Sequence, residues 1–214
     1  MSRPVTTQPV SRLTIALPPG QRLAALEQPA IAISPDGKNL VYVAIDGSSP
    51  QQLYLRPLDA LEARPIAGTE GAASPFFSPD SHWIGFFAGG KLKKVSVDGG
   101  PVATLANASS SGGASWSSHG RIAVHLLRLQ VSQEGGTPQP LTSAGKTDVF
   151  HRWPEFLPGG TAVLFAGSPT NAVWNNSQVA VERVEGGQRT NLAQGGTQPK
   201  YAASGHLLYA RAAP

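Results

Sequence analysis

The 214-residue chain contains no cysteine and one methionine, and only 14% of its residues are charged. The absence of cysteine excludes both a disulfide framework and a thiolate metal site. No apolar run approaches the roughly 20 residues that a membrane-spanning helix needs. The first nine residues also lack the apolar core of a signal peptide. As the sequence is written, we therefore expect a cytoplasmic chain with no membrane segment.

The charged residues are too few and too scattered to indicate a class of binding partner. The chain has 17 Lys and Arg against 13 Asp and Glu, a formal net charge of +4, whereas a nucleic-acid-binding domain concentrates its basic residues on one face. The only local cluster is Lys91, Lys93 and Lys94. Because alternate residues of a strand face opposite sides, this cluster fits a solvated edge strand better than a basic patch. We expect no nucleic-acid partner.

The main feature of the sequence is an internal repeat. Residues 32–42, AISPDGKNLVY, return 44 positions later as residues 76–86, FFSPDSHWIGF, and weaker copies follow near Ser118, Pro158 and Ala203. A period of about 40 residues built from short alternating strands is typical of β-propeller blades. The 24 glycines and 19 prolines suit the many tight turns of such blades and argue against long helices.

The repeats predict an all-β chain, a β-propeller of four-stranded antiparallel blades that is incomplete, with about four and a half blades. Residues 11–17 alternate as a leading strand, and the third repeat looks internally shortened because only residues 125–129 separate two of its strands. We expect a flexible N-terminal lead over residues 1–10 and a propeller domain over 11–214. The predicted blades lie near 29–70, 71–106, 111–142, 148–193 and, in part, 195–214.

Several phrases resemble one known family. They are Ile33-Ser34-Pro35-Asp36-Gly37, Leu53 to Leu58, Ser74 to Asp80, Trp83 to Phe87 and His151 to Gly160. Over roughly residues 11 to 211, the chain resembles the TolB-type, WD-repeat-like β-propeller found C-terminal to bacterial serine/threonine protein kinase domains. The resemblance implies a sensing or protein-interaction module, with phosphoryl transfer left to a separate kinase domain. It leaves open whether the parent domain lies inside or outside the cytoplasm.

No motif predicts catalysis. The sequence has no Gly-x-Ser-x-Gly elbow, no kinase phosphate loop and no kinase catalytic loop. Ser81-His82 and Ser204-Gly205-His206 place serine near histidine, but both fall in predicted hairpin turns, and a triad is defined by geometry. The five histidines are dispersed without metal-ligand spacing. We predict a chain that is not an enzyme, with no catalytic residue, no metal and no cofactor.

One polar group is a candidate binding site. His151, Arg152 and Glu155 precede or begin an inner strand and could stand near the mouth of the central channel. The alternative is structural, with His151 or Arg152 bonding a neighbouring blade and Trp153 packing between sheets. Trp83, Trp116 and Trp153 recur at comparable positions, which favours blade-to-blade packing over a binding cage.

Three functions remain open from the sequence. The first is a non-catalytic module that binds a protein, peptide or small ligand through loops on one face. The second is a propeller-borne hydrolase or a peptidase-associated domain, which would need carboxylates and histidines around the channel. The third is a truncated remnant without a selected function, in which open blade edges promote self-association.

Overall fold

In the computed structural model the described residues form five antiparallel sheets and no helix. These residues are 14–24, 26–108, 112–124, 129–142, 150–169, 177–184, 187–202 and 204–211. Four sheets have the strand order of propeller blades, with consecutive strands side by side, and the fifth has two strands. The chain is therefore an incomplete β-propeller, as its repeats predict. The lead predicted over residues 1–10 lies outside the described residues.

The first blade has a divided innermost strand. Strands β1 (Gln21–Leu23) and β2 (Ile31–Ile33) pair with the same edge of β3 (Asn39–Asp46), which continues to β4 (Gln52–Pro57) and β5 (Arg64–Pro65). The leading strand predicted over 11–17 is not formed across its described part, 14–17. Ile15 and Leu17 instead pack on the outer face of this blade, against Leu40, Tyr42, Ala44 and Tyr54.

The next three blades are consecutive four-stranded meanders, followed by a two-stranded sheet. The second blade contains β6 (Ala73–Phe77), β7 (Trp83–Ala88), β8 (Lys91–Ser96) and β9 (Ala103–Asn107). The third contains β10 (Ala114–Trp116), β11 (Arg121–Val124), β12 (Leu129–Ser132) and β13 (Gln139–Pro140). The fourth contains β14 (Phe150–Phe156), β15 (Ala162–Ser168), β16 (Gln178–Arg183) and β17 (Arg189–Gln194), and the fifth sheet contains β18 (Thr197–Tyr201) and β19 (Leu207–Ala210). The third blade thus has all four strands. It is smaller than the second because its strands are short, not because a strand is missing.

The repeated Ser-Pro-Asp phrase forms the turn between the first two strands of a blade. In the second blade the Ser78 hydroxyl donates to Asp80 Oδ1 (2.5 Å) and accepts the Trp83 N–H (2.9 Å), while the same carboxylate oxygen accepts the His82 N–H (3.0 Å). Ser34 and Asp36 make the equivalent bonds in the first blade. The side chains thus satisfy backbone donors that the ladder leaves unpaired at the turn.

The innermost strands carry a bulge at the same level in successive blades. Ser74, Trp153 and Gln198 each precede a proline and adopt φ near +50°, where the pairing with the next strand shifts. Gly113 has φ +77° at the corresponding position of the third blade. A proline has no N–H for the ladder, so the bulge places it where none is needed.

The cores lie between blades. One cluster joins the first and second blades around Val41, Leu53 and Phe86, a second joins the second and third around Phe87 and Trp116, and a third joins the third and fourth around Phe165. The second and third blades each bury one face against the blade before and the other against the blade after. We call each such contact surface between adjacent blades a seam.

Candidate functional site

His151 lies in the seam between the third and fourth blades. Its side chain is buried, its ring stacks on Phe165 with centroids 4.1 Å apart, and its Nδ1 lies 3.2 Å from the Thr142 hydroxyl. The adjacent cavity, about 20 Å³, has room for about one water molecule. His151 therefore contacts the third blade through Thr142.

Arg152 and Glu155 face different partners. Arg152 is half-buried with its guanidinium carbon 5.8 Å from the Trp153 ring centroid, and burial lowers the pKa of this guanidinium. Glu155 accepts the Tyr201 N–H (3.0 Å) and forms an ion pair with Lys200, both on the fifth sheet. Arg152 lines the same small cavity as His151, whereas Glu155 ties the fourth blade to the fifth sheet. A ligand site shared by all three residues stays a prediction.

A larger opening lies between the second and third blades, beside their first turns. This groove has a volume of about 870 Å³, within the range of small-molecule sites. It is lined on the second blade by Ser78, Pro79, Asp80, Trp83 and Lys94, and on the third by Trp116, Ser117, Ser118, His119, Gly120, Gln133 and Glu134. We call it the Trp83–Trp116 groove.

The turns beside the groove lack a hydrogen bond that joins the corresponding turns across the first seam. Between the first and second blades, the Asp36 N–H donates to the Ser81 hydroxyl (3.2 Å) and joins the two turns. In the third blade, Gly120 is at the position that Ser81 has in the second. Each donates its N–H to the backbone carbonyl of the serine three residues earlier, and each has φ near +70°. Glycine has no hydroxyl, so the turns of the second seam cannot make this bond.

A lysine replaces a leucine inside the same seam. Leu55 pairs with Val41 in the first blade and is buried in the first seam, and the corresponding pair in the second blade is Lys94 with Gly85. The Lys94 side chain is only 12% exposed. Its Nζ donates to the Gln133 carbonyl (2.7 Å) and lies 4.8 Å from the Trp83 ring centroid. The groove therefore has an ammonium group that packs against an indole ring.

Two carboxylates line the groove together with this ammonium group. Glu134 Oε2 is 3.8 Å from Lys94 Nζ, but the Glu134 side chain is 76% exposed, so the pair is at the outer limit of a surface salt bridge. Asp80 is committed to its own turn: its hydrogen bond from Ser78, followed by the one from the His82 N–H, holds the pKa of Asp80 below its usual range. Asp80 is thus an ionised rim residue.

The lysine cluster is not on an edge strand, so that expectation is wrong. Strand β8, which carries Lys91, Lys93 and Lys94, pairs with β7 on one side and β9 on the other. Trp116 does pack between blades, 6.3 Å from the Phe76 ring, and its indole N–H donates to Gln133 Oε1 (3.1 Å). The sequence signal for the groove was a lysine at a position that is leucine in the preceding repeat.

The serine and histidine neighbours form turns. Ser204 Oγ lies 3.0 Å from His206 Nδ1 in an exposed hairpin turn, and the Ser81 hydroxyl accepts the Asp36 N–H of the first blade. Within the described ranges, no group of three His, Asp or Glu residues is placed to hold a metal ion. The same part of the chain contains no helix that could cross a membrane.

Comparison with solved structures identifies the fold. TolB from Acinetobacter baumannii is 20% identical at a TM-score of 0.69, over 86% of this chain and 48% of that one. A putative TolB from Agrobacterium tumefaciens is 18% identical at the same TM-score, over 86% and 74%. Oligogalacturonate lyase from Vibrio parahaemolyticus is 13% identical at 0.64, over 83% and 57%. No family model and no curated protein matches the chain. The fold is a TolB-like β-propeller, and the chain spans about half the length of the A. baumannii TolB.

Proposed function

We propose that the chain is a non-catalytic β-propeller module that binds a peptide segment of a partner protein. The observation that carries this proposal is the Trp83–Trp116 groove, which is large enough for several side chains and combines aromatic surface with polar groups. A propeller presents such a groove on a rigid scaffold, so binding would require little ordering of the module itself. The resemblance to kinase-associated propellers supports a sensing or interaction role beside a kinase domain.

An enzymatic role is the second candidate, since oligogalacturonate lyases are among the structural neighbours. A propeller fold by itself does not assign a reaction, because function depends on the site. The exposed Ser204 and His206 pair places a hydroxyl beside an imidazole, as a nucleophile and its base would be. It lies on a turn outside the Trp83–Trp116 groove, which favours the binding role.

Selection from a random peptide library on the immobilised chain tests the binding role. We expect peptides whose affinity falls at least about tenfold when Ser118→Trp blocks the groove, because Ser118 is an exposed turn residue in its lining. Ser48→Trp is the matched control, since Ser48 lies in an exposed turn of the first blade. Affinities are measured by calorimetry. Peptides that bind both variants as well as the parent chain would exclude the groove as the site.

A further inference from the structure

We infer that the Trp83–Trp116 groove selects a peptide that carries a carboxylate, and that Lys94 is the residue that binds it. This inference rests on the proposed peptide-binding function and adds the chemical class of the ligand. The first argument is the position of Lys94. Its ammonium group occupies a position that is apolar in the first seam, where Leu55 fills the corresponding place between the first and second blades.

The second argument concerns the hydrogen-bonding capacity of that ammonium group. A lysine ammonium has three donors. One is directed to the Gln133 carbonyl at 2.7 Å, and the Trp83 ring covers another side at 4.8 Å. The neighbouring Glu134 approaches only to 3.8 Å, and its side chain is 76% exposed. A ligand carboxylate that enters the groove can come closer than Glu134 does and accept a charge-assisted hydrogen bond.

The third argument is electrostatic. In a partly buried site a charge pair interacts more strongly than in water, so a carboxylate gains more from Lys94 than from an exposed lysine. The net charge of +4 also favours the approach of an acidic partner. Asp80 is ionised and repels a second carboxylate, but its hydrogen bonds from Ser78 and His82 hold it in its own turn. Ser117, Ser118 and His119 line the opposite wall, and serine hydroxyls are donors for the remaining carboxylate oxygen.

The probes are four capped alanine pentapeptides and one uncapped one. The capped peptides have glutamate, glutamine, lysine or alanine at the centre, and the uncapped peptide is all alanine with a free C-terminal carboxylate. Binding is followed by NMR through the indole N–H signals of Trp83 and Trp116, which line the groove. We expect the glutamate peptide, the free carboxylate peptide or both to shift these signals. The comparison of these two separates a side-chain carboxylate from a chain terminus.

Three variants test the role of Lys94. Lys94→Met should weaken carboxylate binding about tenfold or more, and the corresponding place in the first seam is filled by an apolar residue, Leu55. Glu134→Gln should strengthen it about threefold, because it removes a competing carboxylate. Lys93→Met is the matched control: Lys93 pairs with Phe86 on the opposite face of β8 and loses the same charge. Thermal unfolding of each variant confirms that it is folded.

The outcomes separate the inference from the proposed function. Equal binding of the glutamate and glutamine peptides, preference for the lysine peptide, or weaker binding by Glu134→Gln would overturn the carboxylate inference and leave peptide binding in place. Retention of full affinity by Lys94→Met would overturn it as well. If no pentapeptide shifts the tryptophan signals but library peptides bind and are lost on Ser118→Trp, the carboxylate inference fails alone. If library peptides also ignore the groove, both proposals fail.

Discussion

A single serine side chain organises each of the first two turns. Ser78 is buried, and its hydroxyl both donates to Asp80 and accepts the Trp83 N–H, as Ser34 does for Asp36 and Asn39. Such a hydroxyl cannot be removed without leaving a backbone donor unsatisfied near the seam. The motif is therefore a structural requirement of the turn, and its presence in a repeat does not by itself indicate a binding role.

Replacement of Ser78 should reduce the pH dependence of the free energy of unfolding. Ser78→Ala should lower the free energy of unfolding by roughly 1–3 kcal/mol at pH 7. Because the pKa of Asp80 is depressed in the folded chain, its stabilising contribution is present above the unfolded pKa and is lost as pH falls through the folded value. The deficit of Ser78→Ala should therefore shrink below about pH 4. Urea unfolding at pH 7 and pH 3 measures it.

Ser48→Ala, in an exposed turn, is the control for this series and should change stability little at either pH. An identical deficit for Ser78→Ala at both pH values would mean that the Asp80 carboxylate does not contribute through this hydrogen bond.

At the scale of elements, one cross-strand pair shows how two blades fill the same space differently. Phe76 pairs with Gly85 in the second blade, and Ala32 pairs with Val41 in the first. A Cβ atom on Gly85 would lie 2.2 Å from the Phe76 ring. The larger residue of the pair is on the innermost strand in the second blade and on the adjacent strand in the first. The two blades therefore fill the space at this pair from different strands.

Substitutions at Phe76 and Gly85 should compensate each other in their effects on stability. Gly85→Val should destabilise the chain by about 1–3 kcal/mol through overpacking, and Phe76→Ala by about 3–5 kcal/mol through loss of a buried ring. The double variant reproduces the pair of the first blade and should be more stable than the sum of the two effects allows. Chemical denaturation of all four proteins gives the coupling energy. Additive effects would show that Phe76 does not limit the space at Gly85.

Most strands were predictable because a local pattern marks them, although the pattern over residues 11–17 predicted a strand that the structure has at Gln21–Leu23 instead. The Ser-Pro-Asp phrases and the alternation around Trp83 to Phe87 require only neighbouring residues, and the structure contains β7 there. The groove was not predictable in this way. It depends on the distance between two turns about 39 residues apart, and on whether Lys94 lies in a seam or at a solvated edge. A strand pattern alone does not distinguish a position between blades from one on a solvated edge strand when the strand order is unknown.

Across the whole molecule, exposed apolar side chains are concentrated away from the middle blades. Among the described residues, the large exposed ones all lie in the first blade, on the last strand of the fourth, or on the fifth sheet: Leu26, Ile31, Ile33, Leu61, Leu192, Tyr201, Leu208 and Tyr209. Ile31 and Ile33 lie on the outer face of the first blade, on which no other blade packs among the described residues. Such surfaces promote association.

We therefore expect the purified chain to associate as its concentration rises. Ile33→Lys and Leu208→Lys should each reduce the mass measured by light scattering at high concentration, because each places a charge on an exposed sheet face. Leu61→Lys is the control, since Leu61 is 92% exposed and lies in the connection between β4 and β5. A mass that does not change with concentration would show that these faces do not drive association.

Ser81 and Gly120 occupy one position in two copies of the repeat, and only one of them joins its turn to the preceding blade. Duplicated blades can therefore diverge into separate roles through small side-chain differences, while their shared backbone is preserved. One copy joins its turn to the preceding blade, and the other lies beside an open groove. A repeat architecture of this kind can therefore vary the surface between its blades without a new loop.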